Sequence, residues 1–208
     1  MGGIVGILLA AGSGSRFGGD KLLHPLTDGT PMGVAAARSL RAALDWVIAV
    51  TRPGDDKLAD LLAEAGCEVI VAPDAVNGMG HSLAAGVRAA PGADGWLIAL
   101  GDMPFIKPAT HSRVAQALRA GHSIGTPVYH GSRGHPVGFG AMWFAHLAGL
   151  EGDRGAKALF GMSPNGVYHV VVDDPGVVKD IDLAAGTATA VDLRTKGEVR
   201  RRRAFLNS

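Results

Sequence analysis

A three-layer α/β fold built on a mainly parallel sheet is the architecture this sequence predicts. Three observations predict it. Apolar runs of strand length recur along the 208 residues. Alanine-rich segments with helical spacing separate them. Glycine is abundant (31 residues) while aromatics make up only 5%, a composition suited to tight strand-to-helix turns and helices packed close to a sheet.

The first run, Ile4–Ala10, reads as a buried parallel strand because it is apolar without alternation. Trp46–Val50, Glu68–Ala72 and Trp96–Leu100 follow, with Ile124–Tyr129 and His169–Val172 as weaker runs. Between them, Met32–Leu44 brings Val34, Ala37, Leu40 and Leu44 near one helical face. Leu58–Ala65 is a second helix, and Gly66 is placed to stop it. Ser82–Ala90 and Thr110–Ala120 are two more, and Pro31 and Pro108 sit near helix starts, where a missing N–H is harmless. The alternation of strand and helix implies parallel pairing, so ligands are expected beyond the carboxyl ends of the strands. Residues 1–195 read as a single domain. Residues 196–208 read as a basic tail, with five lysines and arginines between Lys196 and Arg203.

Composition narrows the function. A formal net charge of +1 gives no broad basic excess, which argues against nucleic acid and membrane surfaces as partners. The N-terminal apolar run is too short to span a bilayer, and a cytoplasmic protein is the expectation. The single cysteine, Cys67, allows no internal disulfide and reads as a small core residue. His24, His111, His122, His146 and His169 lack metal-ligand spacing and read as structural or surface residues. No Ser-His-Asp or Cys-His arrangement can be argued.

The chemistry concentrates after the first strand, in Leu9-Ala10-Ala11-Gly12-Ser13-Gly14-Ser15-Arg16-Phe17-Gly18-Gly19-Asp20-Lys21. Glycines let a backbone approach a ligand and aim its N–H groups at it. Arg16 offers a planar fork and Lys21 a point charge, both suited to phosphate. A Walker A loop is excluded: Gly14 and Gly19 have its spacing, but Asp20 precedes Lys21 and Leu22 follows it. A dinucleotide fingerprint starting at Gly12 fails at Phe17.

Other candidates follow along the chain. Asp102, in Gly101-Asp102-Met103-Pro104, ends a buried strand and suits Mg²⁺, which takes one or two carboxylates with phosphate oxygens and water. Asp182 is the candidate second ligand, with Asp180 as a substitute. Asn77-Gly78-Met79-Gly80-His81-Ser82 precedes a helix that His81 or Ser82 could cap, and its glycines could expose N–H groups. Arg133 and His135 flank Gly134 on a loop able to present two donors to an anion. Asp153 could orient Arg154 or cap the next helix.

The pattern LAAGxGxRFGxDK in the first loop resembles the signature of the molybdenum-cofactor nucleotidyltransferase family. The segments GDMP, GMGxS at Gly78–Ser82, RGHPVGF at Arg133–Phe139 and GDRGA at Gly152–Ala156 extend the resemblance over residues ~4–185, with RGHPVGF closest to the cytidylyltransferase branch. One departure stands out: Asp182-Leu183-Ala184-Ala185 replaces the family's aspartate or asparagine followed by Thr-Pro-Glu.

The resemblance implies a Rossmann-like nucleotidyltransferase fold and a set of roles. Leu9, Ala10, Ala11, Gly12 and Gly14 would hold base and ribose, with Asp74, Gly78, Gly80 and Ser82 closing over the nucleotide. Arg16 and Lys21 would hold the triphosphate, and Asp102 and Asp182 the Mg²⁺. Arg133, His135 and Arg154 would meet the acceptor. The implied reaction is transfer of CMP from CTP to the terminal phosphate of molybdopterin cofactor, giving the dinucleotide form used by molybdenum hydroxylases, whose apo-enzymes would be partners. Ala11 leans toward cytidine, since guanosine-preferring members tend to carry glycine there. Two other readings stay open: an NAD(P)H-dependent oxidoreductase related to nicotine blue reductases, and a molybdenum-cofactor chaperone without turnover.

Overall fold

The computed structural model describes residues 2–12, 21–153, 155–163, 166–183 and 191–195. Its centre is an eight-stranded sheet among these residues, in the order β3-β2-β1-β4-β7-β5-β6, with β8 on the other edge of β5. The strands are β1 (Ile4–Leu9), β2 (Val47–Thr51), β3 (Glu68–Val71), β4 (Gly95–Leu100), β5 (Ile124–Tyr129), β6 (Ser132–Arg133), β7 (Val137–Gly140) and β8 (Tyr168–Val171). β1 pairs in parallel with β2 and β4, β2 with β3, and β5 with β8. Only β6 and β7 run against the rest. A separate antiparallel pair joins β9 (Lys179–Leu183) to β10 (Val191–Thr195).

Helices cover both faces. β1 explains why: Ile4 and Leu8 face one core cluster and Val5, Ile7 and Leu9 the other, so every side chain of the strand is buried. The first cluster takes Leu40 from α1 (Met32–Arg41), Leu62 from α2 (Asp56–Glu64) and Val114 from α4 (Pro108–Arg119). The second takes Leu83 and Val87 from α3 (Met79–Ala89) and Leu147 from α5 (Phe144–Ala148). Burying a large apolar side chain is worth ~1.5–3 kcal/mol, so two such faces suffice to hold both helix layers on one sheet. Gly86 brings α3 in close: a Cβ there would lie 2.6 Å from Ile7 Cγ2. No helix among the described residues is long and apolar enough to cross a membrane.

The sequence expectations hold for the parallel strands, within a residue or two at their ends. Gly66, with φ +86°, follows α2 as expected of a helix stop, and Cys67 is buried. Three expectations need correction. Residues 131–139 are not simply a loop: they form an antiparallel excursion whose first part (β6) pairs with β5 and whose second part (β7) is inserted between β4 and β5. α3 starts at Met79 rather than Ser82, so neither His81 nor Ser82 caps it; Gly78 occupies the N-cap, and Ser82 is buried inside the first turns. Asp153 does not cap the following 3-10 helix, whose N-cap is Gly155.

Candidate functional site

The parallel strands aim their carboxyl ends at one rim, and the two most informative segments of the sequence meet there. Lys21 opens a single turn of 3-10 helix (Lys21–Leu23), and Asp102 lies two residues past the end of β4. They are 81 residues apart in sequence, yet Lys21 Nζ donates to Asp102 Oδ2 at 3.0 Å. Their side chains are 13% and 29% exposed, so both charges are largely withdrawn from water, where a charge-assisted bond is stronger than at the open surface. The loop itself is held: Gly101 N donates to Leu9 O at 3.0 Å, and Ile181 N donates to Asp102 O at 3.1 Å. The second bond keeps the backbone of 180–182 beside Asp102. Asp182 belongs to β9 by its backbone, while its side chain lies outside what is described. Among the described residues no cluster of three or more His, Cys, Asp or Glu side chains is arranged for a metal.

At the carboxyl ends of β1 and β4, marked by Leu9 and Leu100, opens a cleft of about 570 Å³ whose described lining does not include Lys21 or Asp102. Leu9, Ile98 and Leu100 from the strand ends, with Met79 and Leu83 from α3, make its apolar wall. Its lining also includes Arg133 from β6, His135 from the segment joining β6 to β7, and Lys157 and Phe160 from the 3-10 helix Ala156–Met162. Arg133 lies over the Phe160 ring, its guanidinium carbon 5.6 Å from the centroid, a cation–π arrangement that holds the fork toward the cleft. No carboxylate is found among the described lining residues, whose side chains are the cations Arg133 and Lys157, the His135 imidazole, the Thr126 and Ser132 hydroxyls and apolar groups. A smaller cavity of about 170 Å³ lies at the far side of the β1 end, between Ala10, Gly12, Leu22 and Leu23 and the Gly54–Leu58 segment.

The segment carrying Arg133 and His135 is positioned by close backbone contact. A Cβ at Gly134 would lie 2.0 Å from Val177 O, so only glycine fits. Thr126 Oγ1 donates to Gly134 O at 2.8 Å, Gly134 N donates to Pro127 O at 3.0 Å, and His135 N donates to Val177 O at 2.9 Å.

The other sequence candidates are dispersed. Leu9 lines the cleft, Ala10 and Gly12 the smaller cavity, and Ala11 is buried. Asp74 is exposed on the 3-10 turn Pro73–Asn77 and is not among the lining residues. The amides of Gly78 and Gly80 do not point free into the cleft as expected: Gly78 N donates to Ala75 O, and Gly80 N to Gly152 O at 2.8 Å. Their lack of a side chain instead seats α3 on the 151–152 turn, since a Cβ at Gly78 (φ +126°) would lie 2.3 Å from the Gly152 carbonyl carbon. Gly14, Arg16 and Arg154 lie outside the described residues. The sequence reading missed Met79, Leu83, Lys157, Phe160 and Val178 as cleft residues. A signal existed for one pair, since Lys157 and Phe160 are three apart and eclipse each other on a 3-10 helix. Cys67 is no nucleophile: burial pushes its thiol up to about 11, outweighing the pull of Arg41.

Residues 6–167 match the family model of the MobA-like NTP transferase domain. The purine catabolism protein PucB of Bacillus subtilis is 32% identical over 86% of this chain and 91% of its own length. The nicotine blue oxidoreductase of Paenarthrobacter nicotinovorans is 29% identical over 86% of this chain and 92% of its own. Rv0371c from Mycobacterium tuberculosis superposes with a TM-score of 0.75 at 31% identity, over 87% of this chain and 93% of that one, and has also been solved in complex with manganese. The chain thus belongs to the MobA-like NTP transferase family, a nucleotidyltransferase on a Rossmann-like fold.

Proposed function

We propose that this protein transfers CMP from CTP to the terminal phosphate of molybdopterin cofactor and releases pyrophosphate. The observation that carries this reading is the Lys21–Asp102 pair, an ammonium and a carboxylate 3.0 Å apart, the carboxylate two residues past Leu100, which lines a cleft whose described charged residues are all cationic. The ammonium suits a phosphate oxygen and the carboxylate a hard divalent cation. An oxygen of the acceptor phosphate attacks the α-phosphorus of CTP, the bond from that phosphorus to its bridging oxygen breaks, and pyrophosphate leaves. No protein nucleophile is required, because the acceptor phosphate is already an anion.

Each residue then has a task. Lys21, with Arg16, holds the triphosphate and offsets charge on the departing pyrophosphate. Arg133 and His135, with Arg154, hold the acceptor phosphate. Leu9, Ala10, Ala11, Gly12 and Gly14 hold base and ribose, and Ala11 favours cytidine over guanosine. The cleft lined by Leu9, Leu83 and Leu100 keeps water from competing with the acceptor. Asp102 would supply one carboxylate to a divalent cation, in exchange for its bond to Lys21, and the Ile181–Asp102 bond keeps the backbone of the segment carrying Asp182 beside it. When bound there, Mg²⁺ would neutralise phosphate charge and orient the reacting groups.

The test is pyrophosphate release from CTP with molybdopterin and Mg²⁺, in wild type and in Asp102→Asn. The variant is expected to lose at least ~100-fold in turnover, in line with the loss of one preorganised electrostatic group. Near-normal turnover would remove Asp102 from the metal role, and a product formed from GTP alone would overturn the cytidine assignment.

A second reading rests first on the similarity to nicotine blue oxidoreductase. The replacement of Thr-Pro-Glu by Leu183-Ala184-Ala185 after Asp182 points the same way. In that reading the first loop takes the pyrophosphate of NAD(P)H, and oxidation of the nicotinamide without any need for divalent metal is the sign of it.

A further inference from the structure

One buried carboxylate ties together the two halves of the site without touching the cleft. Asp174 is 2% exposed and not among the cleft-lining residues. Its Oδ2 accepts from Lys107 N at 2.9 Å and Thr110 Oγ1 at 2.6 Å, which fastens it to the start of α4. Its Oδ1 accepts from Gly176 N at 3.0 Å, which forms the 3-10 turn Pro175–Val178. Lys107 Nζ adds a bond to Asp173 O at 3.1 Å. The turn is pressed onto the loop leading from Asp102: a Cβ at Gly176 would lie 2.2 Å from Phe105 O.

From this anchored turn two bonds reach the site. Val177 O accepts from His135 N at 2.9 Å, and Ile181 N donates to Asp102 O at 3.1 Å. The loop holding Asp102 and the segment holding Arg133 and His135 come from different parts of the chain, and the 174–181 segment bonds to both. We infer that Asp174 is a positioning residue that fixes the placement of the acceptor-side segment relative to the Asp102 loop. Its catalytic consequence rests on the transfer reading above; its structural consequence does not.

The geometry makes the claim sharp. Both oxygens are acceptors for N–H or O–H donors, so an isosteric amide must face at least one backbone N–H with its own NH₂ group. A buried donor left without its acceptor is costly. The turn would loosen, and with it both outgoing bonds.

The test uses the full chain, comparing wild type with Asp174→Asn, and with Thr110→Val as a milder variant that removes one donor and leaves the charge in place. Amide hydrogen exchange followed by NMR reads the structural arm. A purely local role predicts faster exchange at Lys107 and Gly176 only. Positioning predicts that His135 and Ile181 also exchange at least ~10-fold faster, while Gly6, bonded to Trp46 O within the sheet, does not. A uniform acceleration that includes Gly6, or no change at His135 and Ile181, would overturn the inference. In turnover assays the acceptor KM should rise ~10-fold, with CTP binding in the absence of acceptor unchanged within ~2-fold. Equal losses in both would also overturn it. If wild type transfers no nucleotide at all, the transfer reading fails, and the exchange pattern alone decides the role of Asp174.

Discussion

Replacing His111 with leucine should flatten part of the acid limb of this protein's stability. His111 lies on α4, is 2% exposed, and its Nδ1 has no hydrogen-bond partner among the described residues. Burial pushes its pKa down from 6.5 to about 4, with the nearby Asp174 charge pulling the other way. The folded chain therefore keeps this imidazole neutral while the unfolded chain protonates it first as the pH falls. Stability is complete above the unfolded value of 6.5 and is lost as the pH falls from there toward about 4. A difference of that size corresponds to ~3 kcal/mol, lost at no more than ~1.4 kcal/mol per pH unit. Carboxylates titrate in the lower part of the same window, so the useful quantity is the difference between wild type and His111→Leu. Urea unfolding from about pH 7.5 down to about pH 4 should show that difference shifting by ~3 kcal/mol in favour of the variant. A difference that stays constant over this range would mean that His111 is hydrated or paired in the folded protein, and would rule out a neutral buried imidazole as a source of the acid-side loss.

Other perturbations address the site directly. Lys21→Ala should weaken triphosphate binding at least ~10-fold, the loss expected for one charged hydrogen bond; unchanged affinity by calorimetry would remove its phosphate role. Arg133→Ala should raise the acceptor KM ~10-fold and the nucleotide KM much less, and the reverse pattern would move that segment to the donor side. Gly134→Ala places a Cβ 2.0 Å from Val177 O and should cost ~1–3 kcal/mol of stability, as overpacking does. A urea midpoint within error of wild type would show that the 177 segment can move away freely.

Much of this arrangement was legible in the sequence because it depends on local signals. Buried parallel strands announce themselves as unbroken apolar runs, and β1, β2 and β4 did so. The first loop and the GDMP segment each followed a strand, which is where the fold places ligand-facing residues. What stayed hidden depends on contacts between distant segments. Gly138 looks like a turn former, yet it lies in β7 because a side chain there would crowd Leu118 of α4, with Cδ1 only 2.9 Å from the Cβ position. The start of α3 was misplaced because Gly78 and Gly80 are fixed by packing on the 151–152 turn and not by a side-chain cap. Asp174 carries no local motif that singles it out. The partners that give Asp174 its role, Lys107 and Thr110, are 67 and 64 residues away, and no local pattern encodes such a pairing.

The proposed transfer requires the Lys21–Asp102 pair to take a nucleoside triphosphate together with a divalent metal. The most direct measurement is the thermal shift of the wild-type protein with CTP, GTP and ATP, each with and without Mg²⁺, alongside NADH and NADPH. A ligand that binds only the folded state stabilises it by ~2.7 kcal/mol at a hundredfold excess over its dissociation constant, a shift easily read for a domain of this size. Nucleotidyl transfer at this site requires a shift with CTP that grows when Mg²⁺ is added and diminishes in Asp102→Asn. A shift with reduced dinucleotides alone, indifferent to Mg²⁺, would contradict it.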